Sequence, residues 1–297
     1  METAWHDLKS GFARELALPE QEIDLVRAAL HLSSGDVPEN DVDFCVAQIS
    51  AIGDRVRARL TGPGRHSLYD VVHAINAVLF DEDGFHGNMA NYYDPRNSYL
   101  SDVLKSKAGI PISLCVLYQA VALRSGHRLR PIGMPAHFLL AGGQGGAEIY
   151  IDAFNRGGLL SRREAIVMAA GGKEEPTNER LAKLSRKFLP VYEKRMVLRR
   201  MLNNLKQIYL REKDHARALR MTEYVEIVEP HDLNNLNDRA WLQTELGKFS
   251  EAAASLTSLI QRAPSGADMT LAESALRQLR SLTGGTESPE IRGPASN

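Results

Sequence analysis

The chain has 297 residues, 43% hydrophobic and 25% charged, with a formal net charge of −1, which suffices for two or three compact units with buried cores. So even a balance excludes the basic excess that nucleic-acid or anionic-membrane binding usually carries, and neither is expected as a partner. No run of about eighteen apolar residues occurs, and the opening METAWHDLKSGFARELALPE lacks the pattern of a secretory signal, so a cytoplasmic protein without membrane contact is expected.

In chain order, residues 20–34 and 41–60 repeat apolar residues at three- and four-residue intervals and predict two amphipathic helices, separated by the acidic stretch around Pro38. TGPGRHS reads as a loop, and 69–85 resumes the helical period until Gly84 ends it. The polar segment HGNMANYYDPRNS leads into a short helix, SYLSDVLKSK, which Asn97 or Ser98 is placed to cap and Gly109 to stop. Pro111 then suits the first turn of a new helix, where its missing N–H needs no partner. That helix presents Ile112, Cys115, Val116, Gln119 and Ala122 as a core stripe, and Gly126 closes it.

RLRPIGMP, HFLLAGG and EIYIDAF predict three short strands, the last two joined by GGQGG, a hairpin turn and not a phosphate cradle, because no lysine or helix start follows it. Ser161 and Glu164 form a capping box for a further helix. GGKEEPTNER is a composition break, and everything after it is helical. There Pro230 and Pro264, and likewise Ala218 and Ala252, stand 34 residues apart, the period of tetratricopeptide repeats. Ala240 and Gly247 fit the second copy, and Lys206 takes the place matching Ala240 in the first. Residues 193–220 hold nine Lys or Arg against three acids, and 221–251 seven acids against two bases. These segments either pair with each other or form a bipolar groove for a peptide. The expected division is a helical segment 1–68, a core 69–180, a repeat region 181–282 that recruits a protein or peptide partner, and a disordered tail 283–297.

The chemistry concentrates on His137, which opens one strand, and Asp152, which closes the next. A hairpin brings such positions together, and a carboxylate beside an imidazole can orient it as a general base. The alternative for both is a buried pair that stabilises the sheet. Asn88, Asn91, Tyr92, Asn97, Ser98 and Asn155 read as ligand-binding residues lining a cleft beside His137, or as turn and capping residues. Cys45 and Cys115 lie in apolar helical patterns and read as small buried hydrophobes. No CxxC or HExxH spacing occurs, so neither metal nor cofactor is expected.

The run GFHGNMANYYDPRNSYLSDVLKSKAGIPISLCVLYQAVALRSG, followed by PAHF and YIDAFNRGG, resembles the bacterial SirB-type family, whose label ties it to regulation of sirC expression. The resemblance implies an α+β N-terminal transglutaminase-like (papain-like) domain with added helices, followed by an all-α tetratricopeptide-type repeat region. It also implies a nucleophilic cysteine at the N-terminus of the helix that ends in ALRSG, and Pro111 occupies that place. Ala136 and Ala153 stand where the family has glycine and proline. Cys115 lies about 40° and 6 Å from the Pro111 position along the helix, and Ser113 points about 200° away, so Cys115 is only a weak nucleophile candidate and Ser113 no better. The expectation is a non-catalytic regulatory or protein-binding protein. The alternative is a hydrolase or acyltransferase that uses His137 and Asp152 with a thiol or with water.

Overall fold

A computed structural model describes residues 2–32, 42–60, 66–143, 148–172 and 177–282. The break at Pro38, most of the TGPGRHS loop, the tip of the GGQGG turn, part of the 171–180 break and the tail 283–297 lie outside the described residues. The chain divides into two compact units, 1–208 and 209–297.

The first unit opens with helices α1 (Glu2–Leu16), α2 (Leu25–His31) and α3 (Val42–Arg59). The helix expected over 20–34 begins only at Leu25, because Asp24 adopts an extended backbone and its carboxylate accepts the amides of Val26 and Arg27. Helix α4 (Leu68–Asn76) starts on a Ser67–Asp70 capping box and passes into a π-helical turn over Ala77–Glu82. Strand β1 (His86–Gly87) then pairs in parallel with β2 (Ala108–Gly109), with helix α5 (Leu100–Ser106) between them.

Two expectations fail here. Tyr99, not Asn97 or Ser98, precedes α5, and no side chain caps it. The helix ends at Lys107, in the left-handed region with φ 62°, before Gly109 is reached.

Helix α6 (Pro111–Arg124) leaves β2 directly. The stripe expected along it is too narrow. Leu114, Leu117, Tyr118 and Val121 are also buried, as is every residue from Pro111 to Tyr118. A helix so uniformly apolar is enclosed by its neighbours, here α3, α4 and the sheet. Gly126, at φ 96°, ends it, and the His127 amide closes back on the Ala122 carbonyl.

The sheet is an antiparallel meander of β3 (Arg130–Met134), β4 (His137–Gly142), β5 (Ile149–Asp152) and β6 (Gly158–Leu160), the last strand not foreseen. The β3 edge is covered where the Gly133 amide bonds Pro190 and the Tyr192 amide bonds Pro131, which removes an open template for further pairing. Ile132, Met134, Leu139, Ala141 and Tyr150 pack on α7 (Arg162–Ala169) and α8 (Asn178–Phe188) through Ala165, Ile166 and Leu184. The Ser161–Glu164 box caps α7 as expected. Helix α9 (Lys194–Arg211) begins in this unit and runs through the division.

The second unit continues with α10 (His215–Val228), α11 (Leu233–Glu245), α12 (Phe249–Arg262) and α13 (Thr270–Leu282), each packed on the next. Ala218 and Ala252 are fully buried, where the 34-residue repeat places close helix contacts. Buried polar bonds lock the register: Asn235 donates to the Thr222 carbonyl at 2.8 Å, and Ser255 donates to Gln243 at 2.7 Å. Arg239 pairs with Glu226 inside the acidic stretch and Arg217 with Asp214 inside the basic one, so neither of these pairs joins the two stretches. Ala252→Leu is expected to overpack the fully buried contact and cost about 1–3 kcal/mol, read as a lower urea midpoint at unchanged slope. A midpoint equal to wild type would refute the repeat register.

Candidate functional site

The β3–β4 hairpin positions His137. Met134 pairs with His137 across a two-residue turn made of Pro135 and Ala136, and Ala136 has φ 57°. Proline followed by a positive φ is the pattern of a type II turn, whose second central position favours glycine. Alanine here therefore carries strain on the order of 1 kcal/mol, and it still builds the turn that begins β4 at His137.

In the next hairpin Leu140 pairs with Ile151. Continuing that register sets Asp152 opposite Leu139, diagonal to His137 on the same face of the strand pair. His137 Nε2 and Asp152 Oδ2 lie 2.9 Å apart. Nδ1 is the remaining ring nitrogen, the one that would do chemistry if the carboxylate holds the other.

Asp152 is 2% exposed, so its charge needs compensation. Its Oδ1 accepts the amides of Phe154 and Asn155 at 3.1 and 3.2 Å, and Oδ2 accepts the Asn155 side-chain amide at 2.7 Å. Burial pushes the carboxyl upward, but the hydrogen bond and charge of His137, with the bonds from Asn155, hold it below the ordinary carboxylate value. The turn after Asp152 is braced in its own right. The Gly157 amide returns to the Asp152 carbonyl at 2.8 Å. Asn76 donates to the Gly157 carbonyl at 3.2 Å and accepts from Tyr118 at 3.0 Å. Gly157 sits at φ 70°, and a Cβ there would lie 2.0 Å from Asn76 Oδ1, so both conformation and space require glycine.

His137, 16% exposed at its side chain, borders a cavity of about 230 Å³. Pro111, with Ile110 and Ile112, supplies one wall from the start of α6, and Ala136 and Phe138 flank the histidine. Tyr92 and Tyr93 come from the loop before α5, and Arg200 and Asn204 from α9. Arg200 donates to the His137 carbonyl at 3.0 Å, and its guanidinium lies 5.6 Å from the Phe138 ring. The Phe154 ring meets both His137 and Tyr92 edge-on at 6.0 Å.

The sequence candidates therefore separate. Tyr92 reaches the cavity, and Asn155 reaches Asp152. Asn88 donates to the Asn97 side chain and accepts the Asn91 amide, and the Asn91 side chain reaches toward Asp94. Asn97, 3% exposed, donates to the carbonyls of Asn91 and Tyr92. These three asparagines tie the loop to itself and so hold Tyr92 in place. Ser98 is fully buried.

Cys115 is 1% exposed, one turn below the cavity wall, with its thiol 3.5 Å from the Phe138 carbonyl. Burial, reinforced by the Asp152 charge, raises that thiol well above its ordinary value. Ser113 is fully buried and spent locally, accepting the Ile110 amide and donating to the Asn97 carbonyl at 2.6 Å. Cys45 is buried on α3 and does not border the cavity. Arg200 and Asn204 were missed from sequence. Their four-residue spacing puts them on one helix face, but nothing local in a helix so far along the chain points to His137.

A meander sheet packed on an enclosed helix, with a histidine–aspartate pair beside the first turn of that helix, is a transglutaminase-like arrangement. A model of the transglutaminase-like superfamily matches residues 44–203, and a tetratricopeptide repeat model matches 205–277. The chain is similar to the UPF0162 protein of Xylella fastidiosa (strain 9a5c), 31% identical over 250 residues, covering 83% of this chain and 86% of that protein. It is similar also to the UPF0162 protein of Vibrio cholerae serotype O1, 27% identical, covering 82% and 87%. F-box only protein 21 of Mus musculus is 37% identical over 177 residues, covering 50% of this chain and 28% of that protein. The chain thus belongs to the transglutaminase-like superfamily and to the UPF0162 proteins.

Proposed function

We propose that this protein is a non-catalytic binding and regulatory protein of the SirB type. In this reading the transglutaminase-like domain keeps the pocket and the His137–Asp152 pair and has lost the nucleophile, and the repeats recruit a protein partner. The observation that carries it is the position of Pro111, which walls the His137 cavity at the helix start where a thiol would be activated by the helix dipole and the imidazole. Cys115 does not replace that thiol, because a buried sulfur with a raised pKa is protonated at neutral pH and shielded from substrate. Repeats of this kind stack paired helices into surfaces suited to protein recognition. Cys45 and Cys115 are both buried and form no disulfide among the described residues, which suits a reducing cytoplasm.

The second reading, a hydrolase that activates water, draws on the 2.9 Å histidine–aspartate contact. Chromogenic ester, thioester and anilide substrates separate the two. We expect no turnover above buffer, and the same result for His137→Ala. Turnover that disappears in His137→Ala would replace the binding reading with the hydrolase.

A further inference from the structure

Arg200 sets the chemistry of the cavity. Its guanidinium is half-buried on α9 and bonds one backbone carbonyl, that of His137. It pairs with no carboxylate among the described residues. A guanidinium carries five N–H donors, and most of them remain for a ligand. A partly desolvated cation gains most from an anionic partner.

The rest of the lining points the same way. Among the described residues no aspartate or glutamate borders the cavity, and the Asp152 carboxylate is turned to His137 Nε2 and Asn155. The Asn204 amide lines the same cavity and adds donors, and His137 Nδ1 adds one when the imidazole is protonated. Tyr92 and Ile112 provide apolar wall. At about 230 Å³ the space is smaller than the roughly 300–1,000 Å³ of drug-sized sites. It suits one acidic group carried on one apolar side chain.

We propose that this cavity is a carboxylate-binding site, in which Arg200, assisted by Asn204 and His137, holds the carboxylate of a small apolar acid or of a peptide C-terminus. The inference rests on the non-catalytic reading, since a site that holds a carboxylate without a nucleophile binds and releases it unchanged. No bond forms or breaks.

The test uses the full chain and four probes: N-acetylphenylalanine, its methyl ester, the tripeptide Ala-Ala-Phe with a free C-terminus, and the same tripeptide amidated. Binding is measured by calorimetry and by the imidazole NMR signals of His137. The free acids should bind saturably and perturb His137, and the ester and amide should bind at least tenfold more weakly. Arg200→Gln and Asn204→Asp, each checked for an unchanged thermal midpoint, should both weaken the free acids tenfold or more. A preference for the tripeptide assigns the site to a peptide C-terminus, and preference for the acetylated amino acid assigns it to a free small acid. Equal affinity for acid and amide, or no saturation by either acid up to about 10 mM, overturns the proposal even if both variants fail to fold. Hydrolysis of the ester or amide would instead overturn the non-catalytic reading and leave carboxylate binding to be judged on the affinities.

Discussion

Asp152→Ala is expected to destabilise the first unit by about 3–5 kcal/mol, the range seen when one partner of a buried, hydrogen-bonded charge pair is removed. The carboxylate is almost fully buried and accepts four hydrogen bonds. Its loss strands the amides of Phe154 and Asn155 in the turn after β5 and removes the acceptor facing His137. Asp152→Asn keeps the shape and isolates the charge, and it should displace the imidazole NMR signals of His137.

The acid limb separates the two variants further. Because the folded carboxyl is held below its ordinary value, the unfolded chain binds more protons between those two values. The stability that Asp152 adds is therefore complete above about pH 4 and is lost as pH falls through the folded value. Asp152→Asn should show a shallower loss of stability than wild type across that interval, measured by urea unfolding at stepped pH. A parallel loss in both proteins would mean that the charge of Asp152 is not favoured by the fold.

The second large effect is expected at the start of α6. Cys115 in the native protein should react with iodoacetamide at neutral pH about a thousandfold more slowly than in the urea-unfolded chain, since each ~1.4 kcal/mol of opening free energy protects tenfold. Pro111→Cys should behave in the opposite way. A thiol there meets the unbonded first-turn amides of α6 and shares the cavity with His137, so it should label faster than Cys115 in the same molecule by about a hundredfold or more, with a midpoint below about 8.5. His137→Ala added to Pro111→Cys should remove much of that advantage. Rapid labelling of Cys115 in the folded wild type would defeat the non-catalytic reading. Slow labelling of the new thiol, indifferent to His137, would show that the first turn of α6 does not open onto the histidine.

Elements with local causes were legible in the sequence. The Ser161–Glu164 box, Pro111 at the first turn of α6, the stop at Gly126 and the hairpin that joins His137 to Asp152 all depend on residues within one turn or one strand pair. The repeat period was legible as well, because small residues recur where helices must approach, and Ala218 and Ala252 are buried accordingly. Misreadings arose where two local solutions compete. Asn97 resembles a helix cap in sequence, but its side chain finds two carbonyls of its own loop, and the chain enters α5 from Tyr99 with no side-chain cap.

By itself the sequence determined the succession of helices α2 to α6, strands β3 to β5 and the helical remainder, but not α1, β1, β2 or β6. It also determined the two kinds of domain and the pairing of His137 with Asp152, because hydrophobic period, turn chemistry and strand alternation act over a few residues. Only the tertiary structure decided that α6 is enclosed and not striped, that Cys115 is sealed beneath the cavity, and that Arg200 and Asn204 arrive from α9 to complete its lining. Those outcomes depend on which surfaces exclude water against one another. Burial is a property of the packed whole, and residues more than sixty positions apart carry no local signal that they will share one cavity.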